Sequence, residues 1–125
     1  MSAKKHILIV EDEVTLNEAY QLILEQQGYE VMVAFNGEEA LKLTEKAEPD
    51  LILLDLRMPV MDGVEFLRQY DAPAKHPDVQ IVIFSNYDMQ KEIDEAYKLG
   101  AARYILKAWA SPKELLHVVS NTLAS

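Results

Sequence analysis

The chain of 125 residues contains no cysteine and no long apolar run. Without cysteine it forms no disulfide bond, no thiolate metal site and no thiol nucleophile. No apolar stretch approaches the roughly 20 residues that a helix needs to cross a bilayer, which excludes a transmembrane segment. The apolar run near the N-terminus, residues 7–10, is also too short for a signal peptide. We therefore expect a cytoplasmic protein.

Basic residues are scarce as well, with 12 Lys and Arg against 21 Asp and Glu, for a net charge of −9 at pH 7. A charge of this sign repels phosphate backbones and anionic membrane surfaces, so we expect neither direct nucleic-acid binding nor membrane insertion. The histidines His6, His76 and His117 are far apart and lack helical ligand spacing, so we interpret them as surface or packing residues. Hydrophobic residues make up 50% of the chain, which is enough for one core in a single domain.

Apolar runs typical of strands alternate with amphipathic runs typical of helices along the whole chain. The predicted strands are residues 6–10, 29–35, 51–54, 80–84 and 103–106, the predicted helices are about residues 14–27, 37–47, 63–70, 89–99 and 112–123, and residues 71–78 are a polar connection. We expect Asn36, Asp62 and Ser111 to cap the second, third and fifth helices. This alternation predicts a parallel sheet with helices on both faces and right-handed crossovers.

Charged and hydroxyl side chains directly follow four of the five predicted strands. Glu11 and Asp12 follow the first strand, Asp55 the third, Ser85 the fourth and Lys107 the fifth. Because functional crevices in parallel sheets lie outside the carboxyl ends of the strands, we expect these side chains to converge at one edge. An acid that follows a strand is also explained by helix capping, and Asp12 or Glu13 would then cap the first helix.

Asp55 is the hardest of these residues to explain as a helix cap, because Pro59 interrupts the turn that follows it. Grouped carboxylates repel one another, and a divalent cation relieves that repulsion. Oxygen ligands favour Mg²⁺ or Ca²⁺ over zinc, and an open site that keeps waters favours Mg²⁺. A carboxylate can act as a nucleophile toward phosphorus, while Lys107 and Ser85 suit phosphoryl oxygens. The residues therefore indicate phosphoryl transfer to Asp55.

Three segments, residues 7–13, 55–63 and 104–107, together resemble the characteristic motifs of the receiver domain of two-component response regulators. The resemblance extends over residues 7–123, essentially the whole chain. It implies a three-layer α/β/α sandwich of the flavodoxin-like class, with a five-stranded parallel sheet of order 2-1-3-4-5 and five helices. We expect residues 1–125 to form a single receiver domain with no effector domain, either as a stand-alone receiver or as a piece of a longer regulator or hybrid kinase.

The resemblance assigns the phosphoryl-accepting and metal-binding roles to particular positions. Asp55 matches the phosphoacceptor, and Asp12 matches the acid that binds Mg²⁺ directly. Glu11 matches the acid that usually acts through a metal-bound water. Arg57 stands where the backbone carbonyl completes the metal site. Phosphorylation of such a domain is Mg²⁺-dependent, and the phosphoryl donor in the family is a histidine kinase or a histidine phosphotransfer domain.

The resemblance also implies how the signal leaves the site. Ser85 matches the switch hydroxyl, Lys107 matches the phosphate-pairing lysine, and Tyr104 matches an aromatic residue that swings inward on activation. The output is then a protein contact made by the fourth helix, the fifth strand and the fifth helix, with Trp109 as either an interface or a packing residue. We expect a monomer or weak homodimer. Such a receiver catalyses its own phosphorylation and dephosphorylation, and is not an enzyme with a separate substrate.

The chain departs from the family pattern at three places. Ala108 stands where the family usually has proline, often after a cis bond. Because a cis bond before a non-proline residue costs about 2.5–4 kcal/mol, we expect a trans bond or a strained loop. Asn86 replaces a residue that is often small, which narrows access to the phosphoryl group. Residues 101–103 lack the paired acids of the large winged-helix subfamily, so we do not expect that subfamily's salt-bridged dimer.

Three other functions fit the same fold class less well. A phosphatase of the haloacid type needs a second acid two residues after the nucleophile, where this chain has Arg57. A flavin carrier needs a phosphate loop rich in glycine and hydroxyl residues after the first strand, where residues 11–13 are all acidic. A degenerate receiver that binds partners without phosphorylation is disfavoured by the intact acids, Ser85 and Lys107.

Overall fold

The computed structural model describes residues 4–86 and 89–124, together with the side chains of all of these except Trp109. Our interpretation of Trp109 as an interface or packing residue therefore lies outside the described side chains. Within the described ranges, no helix has the length and apolar character needed to cross a membrane.

Five strands and five main helices alternate along the chain. The strands are β1 (His6–Val10), β2 (Glu30–Ala34), β3 (Leu51–Leu54), β4 (Gln80–Ser85) and β5 (Arg103–Leu106). The helices are α1 (Val14–Gln26), α2 (Gly37–Lys46), α3 (Gly63–Tyr70), α4 (Gln90–Lys98) and α5 (Pro112–Ala124), with additional single helical turns at Ala72–Lys75 and Lys107–Trp109.

The strands form one parallel sheet of order β2-β1-β3-β4-β5, and helices cover both of its faces. Alternate strand residues contribute to two separate cores. On one face the core includes Ala40 of α2, Phe66 of α3 and Ala96 of α4, and on the other it includes Leu24 of α1 and Val119 of α5. This arrangement confirms the predicted three-layer sandwich with its sheet order and five helices.

The two central strands are the most completely buried part of the sheet. Every residue of β1 from Ile7 to Val10, and every residue of β3, is at most 2% exposed. Continuous apolar runs predict this burial, because helices cover both faces of a parallel sheet. Since β1 and β3 are neighbours, the residues that follow them emerge side by side at the middle of the sheet edge.

The predicted helix caps are confirmed. The side-chain oxygens of Asn36, Asp62 and Ser111 each accept a hydrogen bond from the backbone N–H three residues along the chain, at 2.9, 2.9 and 3.2 Å. These bonds satisfy donors that the first turn of a helix leaves without a partner. The histidines are surface or packing residues, as expected: His6 and His117 are exposed, and the ring of His76 stacks on Tyr70 with centroids 4.1 Å apart.

Two local predictions were wrong. Strand β2 is one residue shorter at each end than the predicted range 29–35, because the backbone N–H groups of residues 29 and 35 bond to groups of the neighbouring helices and not to another strand. The N–H of Tyr29 donates to the carbonyl of Leu24 in α1, and the N–H of Phe35 donates to the Glu39 carboxylate. The segment 71–78 contains the helical turn Ala72–Lys75, which the prediction of a polar connection missed.

Candidate functional site

The carboxylates that follow β1 and β3 meet at the middle of the sheet edge. The ladders continue one residue beyond β3 and β1, since the Asp55 N–H donates to the Val10 carbonyl at 3.0 Å and the Glu11 N–H donates to the Ala34 carbonyl of β2 at 3.1 Å. Glu11 and Asp55 are 2% and 7% exposed, while Asp12 is half-buried. One carboxylate oxygen from each of these three residues lies within 4.8 Å of the others. The structure therefore brings together the acids that their strand-end positions predicted to converge.

Lys107 supplies the positive charge at this cluster. Its ammonium donates to the Glu11 carboxylate and to Oδ2 of Asp55, the latter at 2.9 Å, and its side chain is only 8% exposed. Burial by itself lowers the pKa of Lys107, but the hydrogen bonds and charges of Glu11 and Asp55 outweigh burial and raise it. The lysine is therefore a buried cation that reaches from the end of β5 to the acids of β1 and β3.

Glu11 is held in place by the backbone and by Lys107. One of its carboxylate oxygens accepts the N–H of Glu13 at 3.0 Å, and the other accepts from Lys107. Burial raises the pKa of the Glu11 carboxyl above its ordinary value, and the hydrogen bond from Lys107 offsets part of that rise. A buried carboxylate needs such partners because desolvation otherwise disfavours its charged form.

Close backbone approach at Gly63 shapes the loop that carries Asp55. A Cβ atom at this glycine would lie 2.4 Å from the Asp55 carbonyl oxygen and 2.9 Å from Cα of Leu56. Because both neighbours are backbone atoms, neither can move aside as a flexible side chain would. The start of α3 therefore packs directly against the residue that carries the acceptor carboxylate. Sequence reasoning placed Gly63 at the start of the third helix but missed this close approach, which only the packed backbone reveals.

An open cavity of about 300 Å³ lies over the acidic cluster. The residues that line it are Asp12, Glu13, Asp55, Arg57, Asn86 and Lys107. Oxygen ligands at the mouth of an open cavity fit Mg²⁺, which keeps several waters when it binds to proteins. The position of Asn86 agrees with the expectation that it flanks access to Asp55.

Ser85 and Tyr104 are not among the residues that line this cavity. Ser85 is fully buried at the end of β4, where it pairs with Leu106 in the ladder to β5. The Tyr104 side chain packs against the core beneath α3 and α4, and its hydroxyl oxygen is buried. In this conformation the tyrosine already points inward.

The backbone after Lys107 turns without a cis bond. No cis peptide bond occurs among the described residues, so the bond before Ala108 is trans, as expected. Residues 107–109 form a 3₁₀ turn, which the Ala110 N–H closes by donating to the Lys107 carbonyl at 3.3 Å. Ala108 lines a second cavity together with Leu16, Tyr20, Asn86 and Lys107.

The Arg57 residue makes two kinds of contact at this edge. Its backbone N–H donates to Oδ1 of Asp55 at 3.3 Å. Its guanidinium forms an ion pair with Glu92, which lies 35 residues away in the first turn of α4. A second ion pair, between Arg68 of α3 and Glu95 of α4, lies nearby. Sequence reasoning missed both pairs, since opposite charges on separate helices carry no local signal.

Comparison with known proteins identifies the family of this chain. The family model described as "Response regulator receiver domain" matches residues 7–120. The chain is 36% identical over 119 residues to "Transcriptional regulatory protein YdfI" of Bacillus subtilis, covering 94% of this chain and 54% of that protein. It is 37% identical over 113 residues to the "Alkaline phosphatase synthesis transcriptional regulatory protein PhoP" of Bacillus subtilis, covering 89% and 45%. The chain thus spans about half the length of the curated relatives it matches.

Solved structures show the same likeness. A "response regulator receiver domain protein (CheY-like)" from Methanospirillum hungatei superposes with a TM-score of 0.91 at 30% identity, covering 98% of this chain and 95% of that one. The chemotaxis protein CheY4 of Vibrio cholerae gives a TM-score of 0.87 at 28% identity, covering 96% and 99%. The family match and these likenesses establish that the chain belongs to the receiver-domain family of response regulators.

Proposed function

We propose that this receiver domain is a phosphorylation-activated switch in which Asp55 accepts a phosphoryl group. The observation that carries the proposal is the position of Asp55, whose carboxylate lies beside two other acids and receives a hydrogen bond from Lys107. A cation and an open cavity beside one carboxylate are what transfer of a phosphoryl group to that carboxylate requires.

A carboxylate oxygen of Asp55 attacks phosphorus, and the new P–O bond forms as the bond to the donor's leaving group breaks. With a phosphohistidine donor, the imidazole nitrogen leaves with the electron pair. Glu11, Asp12 and Asp55, with the carbonyl oxygen of Arg57, would hold Mg²⁺, which neutralises charge on the phosphoryl oxygens. This set of oxygen ligands fits that ion, since the three carboxylates lie within reach of one another.

Lys107 and Ser85 bind the phosphoryl group once it is on Asp55. Lys107 already donates to Asp55, so its ammonium needs only a small movement to pair with a phosphoryl oxygen. Ser85 is fully buried at the end of β4, and a movement of that end toward Asp55 brings its hydroxyl to the phosphoryl group. Tyr104 lies on the neighbouring strand β5, and its side chain fills the space that Ser85 vacates.

Membership of the receiver-domain family implies the partners. A histidine kinase or a histidine phosphotransfer domain of the cytoplasm supplies the phosphoryl group, and the surface of α4, β5 and α5 changes its fit to a downstream protein. The domain turns over its own aspartyl phosphate and has no separate substrate. With a net charge of −9, it acts through a protein contact of a monomer or weak homodimer and not through nucleic acid.

Intact-mass analysis after incubation with Mg²⁺ and acetyl phosphate tests the acceptor. We expect the wild type to gain one phosphoryl group and release acetate, and we expect Asp55→Asn to gain none. Asp62→Asn is the matched control, because asparagine still caps α3 and the acceptor is untouched. An undiminished adduct in Asp55→Asn would refute the assignment.

A further inference from the structure

The side chain of Arg57 connects the acceptor cavity to helix α4. Arg57 lines the same cavity as Asp55 and Lys107, while its guanidinium is paired with the carboxylate of Glu92. Glu92 lies in the first turn of α4. A cation next to the acceptor is thus engaged by a carboxylate of the helix that we propose to be part of the output surface.

Helix α4 is weakly anchored to the rest of the domain. Of its residues, only Ala96 is buried, and its N-cap residue Met89 makes no side-chain capping hydrogen bond. The carboxylates of Glu92 and Glu95 join the helix to Arg57 and Arg68, which lie after β3 and in α3. An element with so little buried apolar surface shifts at low free-energy cost, so even the modest free energy of these partly exposed ion pairs helps to fix its position.

A phosphoryl group on Asp55 competes with Glu92 for the guanidinium. It replaces one carboxylate charge with a group of up to two negative charges and three acceptor oxygens, a geometry that guanidinium matches well. The Arg57 and Glu92 side chains are 47% and 28% exposed, so solvent weakens their present pair. The phosphoryl group, held over the buried acids and Lys107, is the stronger partner.

We propose that Arg57 is a second phosphoryl-binding cation beside Lys107, and that its guanidinium exchanges Glu92 for the phosphoryl group on Asp55. The exchange releases the first turn of α4. This proposal rests on the proposed function, because it requires a phosphoryl group on Asp55. It gives the Arg57 side chain a role separate from that of its carbonyl oxygen.

Titration with beryllium fluoride in the presence of Mg²⁺, followed by amide chemical shifts, tests the exchange. Glu92→Gln frees Arg57 beforehand, so we expect it to bind beryllium fluoride about two- to fivefold more tightly than wild type, the range expected for a partly exposed ion pair. Arg57→Gln keeps the backbone carbonyl but loses the cation, so we expect it to bind more weakly by at least the same factor. In the Arg57→Gln background, adding Glu92→Gln should change the affinity little.

Glu95→Gln is the matched control. It removes an ion pair to α4 and the same single negative charge, but its partner Arg68 does not line the acceptor cavity. We expect wild-type affinity for beryllium fluoride in this variant. The rate of hydrogen exchange of the α4 amides should rise in both Glu92→Gln and Glu95→Gln. If only Glu92→Gln then binds beryllium fluoride more tightly, loosening of the helix by itself does not tighten binding.

The outcomes separate this proposal from the proposed function. If the wild type binds no beryllium fluoride at Asp55, both are overturned. If it binds and Arg57→Gln has the same affinity, only the role of Arg57 is overturned. Equal tightening by Glu92→Gln in the presence and in the absence of Arg57 would also overturn the exchange, because the effect would then be one of general charge.

Discussion

At the scale of single residues, the loop beside the acceptor contains a strained backbone at Val60. Its φ is 69°, in the left-handed region that β-branched residues strongly disfavour. Its side chain is 75% exposed, so little packing offsets the strain. The strain lies in the loop that joins Asp55 to α3, where the start of the helix is already fixed by contact between Gly63 and the Asp55 carbonyl.

We predict that Val60→Asn stabilises the domain by about 1 kcal/mol, because asparagine adopts a left-handed conformation at lower cost than valine. Urea denaturation measures the free energy of unfolding. Val14→Asn is the control, since Val14 is 55% exposed but does not have a positive φ. It should show no gain. A less stable Val60→Asn would mean that the valine side chain makes contacts worth more than the strain.

At the scale of secondary-structure elements, signalling depends on how β4 and α4 respond to the acceptor. Ser85 ends β4 in full burial, whereas α4 buries only Ala96 and is joined by ion pairs to Arg57 and to Arg68 of α3. A rigid strand therefore leads into a loosely held helix. A charge at Asp55 can shift β4 and α4 from one arrangement to another only if it makes different contacts in the two arrangements.

We predict that Ser85→Ala still accepts beryllium fluoride at Asp55 but transmits the change poorly. In the wild type, amide chemical shifts should change throughout α4 and at Tyr104, because the Ser85 hydroxyl draws the end of β4 toward the site. In Ser85→Ala the changes should stay near Asp55 and in the first turn of α4, where Arg57 still exchanges Glu92 for the bound group. Thr44→Ala is a control, since the buried Thr44 hydroxyl bonds within α2, away from the acceptor cavity. Wild-type changes in α4 of Ser85→Ala would show that the signal leaves by another contact.

At the scale of the whole molecule, the domain carries an excess of acids, and three of them converge at one edge of the sheet. Lys107 is ion-paired with two of these carboxylates, Glu11 and Asp55. The native state therefore holds the negative charges of these three acids close together, whereas in the unfolded chain they lie far apart. A cation that binds only this arrangement stabilises folding by mass action.

We predict that millimolar Mg²⁺ raises the melting temperature of the wild type and that Asp12→Ala loses most of the rise. Asp12 is half-buried at the cluster, so removing it takes away a ligand without opening the core. Asp78→Ala, at an exposed turn, should respond as the wild type does. NaCl at matched ionic strength separates specific binding from general screening. Equal responses of all three proteins would place the bound ion elsewhere.

Much of the architecture was predictable because it is encoded locally. The apolar runs of β1 and β3 indicate strands buried on both faces, and the caps at Asn36, Asp62 and Ser111 are short-range hydrogen bonds. The convergence of Glu11, Asp12, Asp55 and Lys107 follows from a general property of parallel sheets. The order of the strands was available from family resemblance, since hydrophobic periodicity does not say which strands are neighbours.

The sequence by itself therefore determined the alternation of strands and helices and the identity of the residues at their carboxyl ends. Only the tertiary structure decided that Lys107 pairs with both Glu11 and Asp55, and that Arg57, which lines the acceptor cavity, pairs its guanidinium with Glu92. Capping bonds join residues three apart, and the apolar runs that predict buried strands are continuous along the chain. An ion pair across 35 residues forms only after the sheet and its crossovers have brought the two side chains together.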